Sequence, residues 1–417
     1  MSSLPSRLRL FGPIALLLLI LVAVSLAIPR SASADSVVYV KGGDVWLAEP
    51  DGGGQFRVTS TGGYSYASQS ENGVIVAAKE NRIHRISRGG TVEAELPTIV
   101  QSSDWHGPFE PQISPDGKTV AYEFYRTYGG DITRGTAYID ARDGSVVGEL
   151  QTGWSFPAWI DNDRTMQSGS PNALAADVII RGKNEPNNQG TPWFTHPDAG
   201  GVRDGDITRT GDKLAFVAGD SDQFLTVYRR IGELGVDVPE YCYHYGEATG
   251  GKFRSPSFSP DGSSLAWEEG DGIYIGPIPD FAGGCSMPEI EGPLVIPGGT
   301  FPDWGPGDVP APRNPSLAPA RRQKLRAALK GGLLLRATDI PAGTKVTAAI
   351  TKATARKAGL GRKPVTVARG TTGTSSTVRL AFTKSAARKL AKLRGVPLKV
   401  TAAGNGVRAG LGLTLRR

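Results

Sequence analysis

The sequence predicts an all-β protein: a six-bladed β-propeller closed by strands from both ends, followed by a small C-terminal β-sandwich-like domain. Three observations predict it. A hairpin motif repeats between residues 67 and 307, the last copy lacks strands that residues near 36 can supply, and the charge changes sign past residue 312.

The motif is clearest as Pro111-Gln112-Ile113-Ser114-Pro115-Asp116-Gly117 before Lys118-Thr119-Val120-Ala121-Tyr122. It returns as Pro256-Ser257-Phe258-Ser259-Pro260-Asp261-Gly262 before Ser263-Ser264-Leu265-Ala266-Trp267. In each, Pro presets φ, Asp bonds local backbone and Gly takes the conformation that re-enters a strand. Weaker copies begin at Ala67, Pro157 and Gly205, and a fragment at Pro302 has no second strand after it. The spacings are 44, 46, 48, 51 and 46 residues. Repeats of that length with several short strands each are the mark of propeller blades. Ser36–Val40, Asp44–Ala48 and Gln55–Thr59 read as the three strands the last fragment lacks, with Phe301–Trp304 as their first. Closing the ring this way removes exposed strand edges. Five whole blades and one shared blade make six.

This pattern resembles the TolB-type propeller over Ser36 to about Asp308, specifically at two copies and degenerately at four. The resemblance implies a fold more than a function, because that family includes binding scaffolds, fused peptidases and a few lyases. TolB proper carries an extra domain before its propeller, so a Tol–Pal role is not implied.

Residues 1–34 read as a leader: Arg7 and Arg9, an apolar run from Leu10 to Ile28, then Ser31-Ala32-Ser33-Ala34. A secretory signal cut between Ala34 and Asp35 is one reading, and an uncleaved membrane anchor is the other. Gly12 and Pro13 shorten the run, which suits a signal core. Either way the expected address is secreted or cell-envelope associated and extracytoplasmic, where disulfides persist. Cys242, late in the fifth blade, and Cys285, late in the sixth, are expected to bridge, with two unpaired thiols as the competing reading.

The net charge of +7 hides a division. Asp35–Pro312 carries 20 Lys and Arg against 39 Asp and Glu, a net −19; Arg313–Arg417 carries 24 cations and one acid, Asp339, a net +23. The organisation is therefore a leader (1–34), a propeller (35–308), a Pro-rich linker (309–316) and a basic β-rich domain (317–417). That last domain resembles modules appended to secreted actinobacterial proteins. Its cations suit anionic wall polymers, lipid headgroups or its own acidic propeller; an extracytoplasmic address argues against nucleic acid.

No Gly-x-Ser-x-Gly elbow, His-Glu-x-x-His pair, Walker loop or dinucleotide fingerprint occurs, so no catalytic residue or cofactor is assigned. His84 reads as a surface residue. His106, His196 and His244, with Trp105, Trp154, Trp193, Tyr243 and Tyr245, fall between the last strand of one blade and the first of the next. Those crossings would rim the funnel on the face opposite the hairpin turns, as a saccharide- or peptide-binding rim. Asp116, Asp261 and Asp163 read as local turn caps, and Asp204/Asp206 and Asp220/Asp222 as solvated turns rather than Ca²⁺ ligands. The expected function is a non-enzymatic, monomeric binding or scaffold protein whose partner is an envelope protein or cell-wall polymer. The alternative is a metal-dependent polysaccharide lyase or glycosidase, which requires His106, His196 and His244 at one point.

Overall fold

The computed structural model describes residues 35–417 except 170–175, 198–200, 220–222, 247–252, 286–291, 312–314, 341–342, 374–375 and 405–406. The leader, Asp220 and Asp222 therefore lie outside the described residues. Among the described residues no helix is long and apolar enough to cross a membrane.

Six four-stranded antiparallel sheets make the propeller. Blade 1 contains β1 (Ser36–Lys41), β2 (Asp44–Ala48) and β3 (Phe56–Arg57). Blade 2 is β4 (Tyr64–Gln69), β5 (Ile75–Lys79), β6 (Arg82–Ile86) and β7 (Val92–Pro97). Blade 3 is β8 (Trp105–Ile113), β9 (Thr119–Tyr128), β10 (Asp131–Asp140) and β11 (Gln151–Thr152). Blade 4 is β12 (Ser155–Trp159), β13 (Arg164–Ser168), β14 (Val178–Gly182) and β15 (Thr191–Phe194). Blade 5 is β16 (Val202–Ile207), β17 (Lys213–Ala218), β18 (Phe224–Arg229) and β19 (Glu240–Gly246). Blade 6 is β20 (Arg254–Phe258), β21 (Ser264–Glu269), β22 (Gly272–Pro277) and β23 (Leu294–Pro297). The ring closes where β24 (Thr300–Gly305) pairs antiparallel with β1, Val37 opposite Trp304.

The hairpin turns form for a local reason. Gly117 donates its N–H to Ser114 O at 2.8 Å, and Gly262 does the same to Ser259 O at 2.8 Å. Asp116 and Asp261 each accept the Ser hydroxyl at 2.7 Å, which ties the turn to itself. Ser70–Gly73 and Thr208–Gly211 close the same way, at 3.0 and 2.8 Å, and all four glycines have φ between 67° and 79°. A side chain other than Gly is strained there. Blade 4 has no such Gly. Its turn is capped by Asp161, which accepts from the N–H of Asp163 and of Arg164 at 2.8 Å. Asp163, expected as the cap, instead stands exposed and pairs with Lys183.

Five of the six junctions between blades are apolar. Val38, Leu47 and Ile75 pack blade 1 on blade 2, and Val217, Leu265 and Trp267 pack blade 5 on blade 6. The junction of blades 3 and 4 is polar instead. Gln167 Nε2 donates to Tyr138 Oη and to Gln151 Oε1, both at 2.8 Å, and Tyr138 Oη meets Thr165 Oγ1 at 2.7 Å. That network accounts for the buried polar residues Thr165 and Gln167 of β13, which flank the apolar Met166. Cys242 and Cys285 are joined by a disulfide, with Cα atoms 4.6 Å apart.

The C-terminal domain is one seven-stranded sheet. Its elements are β25 (Ser316–Pro319), α1 (Leu325–Gly331), β26 (Leu333–Thr338), β27 (Lys345–Ile350), α2 (Lys352–Lys357), β28 (Val365–Thr371), β29 (Thr377–Phe382), α3 (Lys384–Leu390), β30 (Gly395–Gly404) and β31 (Val407–Arg416). The order is β25-β26-β29-β28-β27-β30-β31, and the two edge strands β25 and β31 approach each other, so the sheet nearly closes. Burial alternates along β26, β29 and β30, which puts Leu335, Leu380 and Val400 inside a curved sheet rather than between two flat ones. Thr351 and Thr383 cap α2 and α3, their hydroxyls accepting the N–H of Thr354 and Ala386.

Candidate functional site

The innermost strand of every blade carries the same irregularity. Tyr66, Glu110, Phe156, Asp204, Ser255 and Phe301 have φ of 51°, 44°, 50°, 49°, 47° and 52°. Each sits where the pairing register with its neighbour shifts, a β-bulge. The next residue is Pro in four of the six, which disfavours a right-handed helical turn at the bulge. Left-handed non-Gly residues cost on the order of 1–3 kcal/mol each. Repetition in all six blades makes this strain a property of the ring. All six residues are half-buried.

The bulges expose backbone N–H groups, and the neighbouring blade takes them. Two residues beyond the strained position, Ser68 Oγ accepts Ile113 N–H at 3.2 Å, Asp206 Oδ2 accepts Phe258 N–H at 2.7 Å and Ser257 Oγ accepts Trp304 N–H at 2.9 Å. Asp303 Oδ2 completes the set by accepting Gln69 N–H at 3.3 Å across the closure. Higher in the channel, Asp204 Oδ2 accepts Ser255 N–H at 2.6 Å and Glu268 Oε2 accepts Phe301 N–H at 2.9 Å. These side chains latch inner strands that share no backbone ladder. Ser257→Ala leaves a buried N–H without its acceptor and is expected to cost about 1–2 kcal/mol, read as a lower urea midpoint.

Below the strained ring lies a cavity of ≈ 330 Å³, lined by the inner strands of all six blades and by Pro115, Asn162, Arg209 and Ser259 of the hairpin turns. It therefore occupies the turn end of the channel. Arg209 Nε and Glu71 Oε1 form an ion pair at 2.6 Å. Blades 5 and 2 are opposite members of a six-membered ring, so this pair crosses the channel axis.

The channel concentrates carboxyl groups. Burial pushes Asp206 up to about 7, against the N–H bonds from Phe258 and Ile207, and Asp303 adds to the rise. Burial likewise raises Asp303 to about 6 and Asp204 to about 6. Glu123 rises to about 7, burial outweighing the Arg134 guanidinium, and Glu110 stands well above the carboxylate range through burial and the Asp204 and Glu123 charges. Burial disfavours the charged form of each group, so these acids keep a proton to higher pH than free carboxyls do.

Among solved structures, TolB from Acinetobacter baumannii matches 68% of this chain and 69% of its own, at 16% identity and a TM-score of 0.46. An oligogalacturonate lyase from Vibrio parahaemolyticus matches 56% of this chain and 68% of its own, at 12% identity and a TM-score of 0.39. A gluconolactonase from Xanthomonas campestris matches 58% and 82%, at 11% identity and a TM-score of 0.43. The likeness is one of fold. No family model matches the sequence, and no curated protein does.

None of the eight aromatic and histidine positions singled out in the sequence lines this cavity. Several lie on strands rather than in crossings. Trp105 and His106 begin β8, where His106 stacks on Tyr125 at 4.3 Å between ring centroids. Trp193 is buried in β15, its indole N–H donated to Asp237 O at 2.9 Å, while Trp154 lies between β11 and β12. Tyr243, His244 and Tyr245 belong to β19, the outer strand of blade 5. His196 is buried with its Nδ1 against Tyr228 Oη, and both His196 and His244 touch Tyr241. The structure thus brings His196 and His244 near one tyrosine and keeps His106 in another blade. Among the described residues, no three His, Cys, Asp or Glu side chains are arranged to hold a metal ion.

His84 is a correction. It is buried, bonded through Nδ1 to Tyr64 Oη at 3.0 Å, and burial lowers its pKa. Asp204 and Asp206 are another. They are not solvated turn residues but channel-facing members of β16, displaced there by the bulge at Asp204.

Proposed function

We propose that this chain is a non-enzymatic, extracytoplasmic binding protein that takes a saccharide or short peptide in the turn-end cavity of its propeller. The observation that carries this reading is the convergence of all six inner strands on one ≈ 330 Å³ space. Gln112, Asn162, Asp206 and Asp303 supply polar groups there, and Trp159 supplies a ring beside them. Carboxyls that titrate this near neutrality can accept, and donate where protonated, which suits a hydroxyl- or amide-rich ligand. The Glu71–Arg209 pair is half-exposed, so opening it costs about 1 kcal/mol. The lyase alternative needs three imidazoles around one ion, and the contacts of His106 favour packing instead.

The test is calorimetric titration of the full chain with saccharide and peptide fractions of digested cell wall. Gln112→Leu, which removes a cavity amide, is expected to weaken binding about tenfold. Arg209→Ala is expected to speed association by removing half of the crossing pair. Binding that ignores both substitutions would place the ligand elsewhere on the propeller and overturn the reading.

A further inference from the structure

The C-terminal sheet is antiparallel throughout, so its strand directions fix where each connection lies. β25, β27, β29 and β31 run one way, and β26, β28 and β30 the other. The connections leaving β25, β27 and β29 therefore emerge at one end, and each holds one of the three helices. β31 also finishes at that end. Hydrogen bonds agree with the placement: Lys389 Nζ of α3 reaches Gly359 O after α2 at 2.6 Å, and Arg417 reaches Ala391 O at 3.0 Å.

The cations follow the helices. Residues 320–332, 351–364 and 383–394 carry five Lys or Arg each, and Arg416 and Arg417 bring the total at this end to 17 of the 24 that follow Pro312. All of these are exposed except Lys389. The connections at the opposite end, 339–344, 372–376 and 405–406, contain no cation and hold the single acid, Asp339. Among the described residues no cation of this domain is ion-paired, and its sheet face adds only scattered charges such as Lys345 and Lys399.

Helix stability explains only part of this placement: the dipole favours Lys330, Arg356, Lys357, Arg388 and Lys389 in their last turns, but not the rest. Lys352 and Lys384 open α2 and α3, where the helix dipole disfavours positive charge, and no helix of the three has an acid in its first turn. We propose that the helical end of the C-terminal sheet is a binding surface for a flexible, single-chain phosphate polymer, as distinct from a lipid surface or duplex nucleic acid. The cations are spread over three connections and a terminus, which fits a chain of repeated charges engaging several of them at once through counterion release. The large exposed apolar side chains of the described residues all belong to the propeller, the last being Leu294. Nothing on this end is therefore built to enter a bilayer. The inference is independent of the channel reading.

The test is binding of the full chain to inorganic polyphosphate by fluorescence anisotropy across a salt series, with phosphatidylglycerol vesicles and double-stranded DNA as parallel arms. One variant replaces Arg326, Lys330, Arg356, Arg388 and Lys392 by Gln. A control replaces Arg336, Lys345, Arg369, Lys399 and Arg408 by Gln, and thermal unfolding checks that both fold. The helical-end variant is expected to lose about 30-fold or more in polyphosphate affinity at low salt and to flatten the salt slope, the control less than about 3-fold. Equal losses in both variants would mean bulk charge and overturn the proposal. So would tighter retention on vesicles or on DNA than on polyphosphate, or no binding at low salt.

Discussion

Arg88→Met is expected to lower the unfolding free energy by about 3 kcal/mol. The guanidinium clasps the seam where the ring closes. It donates to Gln69 Oε1 at 2.6 Å, to Ser36 Oγ at 2.5 Å and to Gly307 O at 2.8 Å. Two further bonds go to Asp308 O, at 2.9 and 2.7 Å. One side chain of blade 2 thus holds the first residue of β1 and the chain just past β24, which lie about 270 positions apart in sequence. Burial lowers its pKa to about 10, so the charge is held by neutral acceptors rather than by a carboxylate partner in contact. Removing it orphans several carbonyls and loosens the pairing of β1 with β24. Arg88→Lys restores only part of the loss, because an ammonium cannot reproduce the planar fork. Urea unfolding checks this: the midpoint should fall at unchanged m-value, and a loss below about 1 kcal/mol would show that the seam is held by β pairing alone.

Much of the ring was legible because its turns are local chemistry. Ser-Pro-Asp-Gly announces itself in any context, and the same Ser/Thr-x-x-Gly turn forms at Ser70 and Thr208 without the Pro-Asp pair. The shared first blade was legible because an incomplete repeat demands strands from elsewhere. The inner bulges were not. Their strained residues are Tyr, Glu, Phe, Asp, Ser and Phe, and no side-chain type marks them. A following Pro in four copies was the available signal, read as part of the strand. Once the bulges are in place they re-aim the residues after them, which is how Asp206 and Asp303 come to face the channel. Sequence reasoning directed attention to aromatic residues near the opposite face, since rings and imidazoles are conspicuous, whereas the cavity is lined by residues of the repeat itself, polar groups such as Ser68, Gln112 and Asp206 beside Trp159 and Trp304. The cationic end of the C-terminal sheet was visible only as composition. Its concentration at one end depends on strand order, which composition alone does not determine.

Between pH 5 and 8 the propeller is expected to lose stability as pH rises, the reverse of a protein dominated by paired carboxylates. Asp206 and Glu123, each at about 7, and Asp204 and Asp303, each at about 6, are raised above their unfolded values. The folded state therefore holds more protons than the unfolded chain between about pH 4 and 8, and stability falls with pH over that window. The contribution of these groups is complete below their unfolded pKa and is lost as pH climbs through 6 to 7. Asp116, Asp261 and Asp44 are shifted downward and oppose this only below about pH 4, where their protonation removes turn and salt-bridge interactions. Asp206 faces Asp303 and Arg209 in the channel, and burial outweighs both the cation and the two backbone N–H bonds. Asp206→Asn keeps an acceptor for Phe258 N–H and removes the charge. At pH 8 it is expected to stabilise the fold by on the order of 2–4 kcal/mol, with no gain at pH 5. The measurement is the urea midpoint of both proteins from pH 4.5 to 8.5. Parallel curves would mean that Asp206 ionises freely and that water in the channel, rather than the surrounding protein, sets its environment.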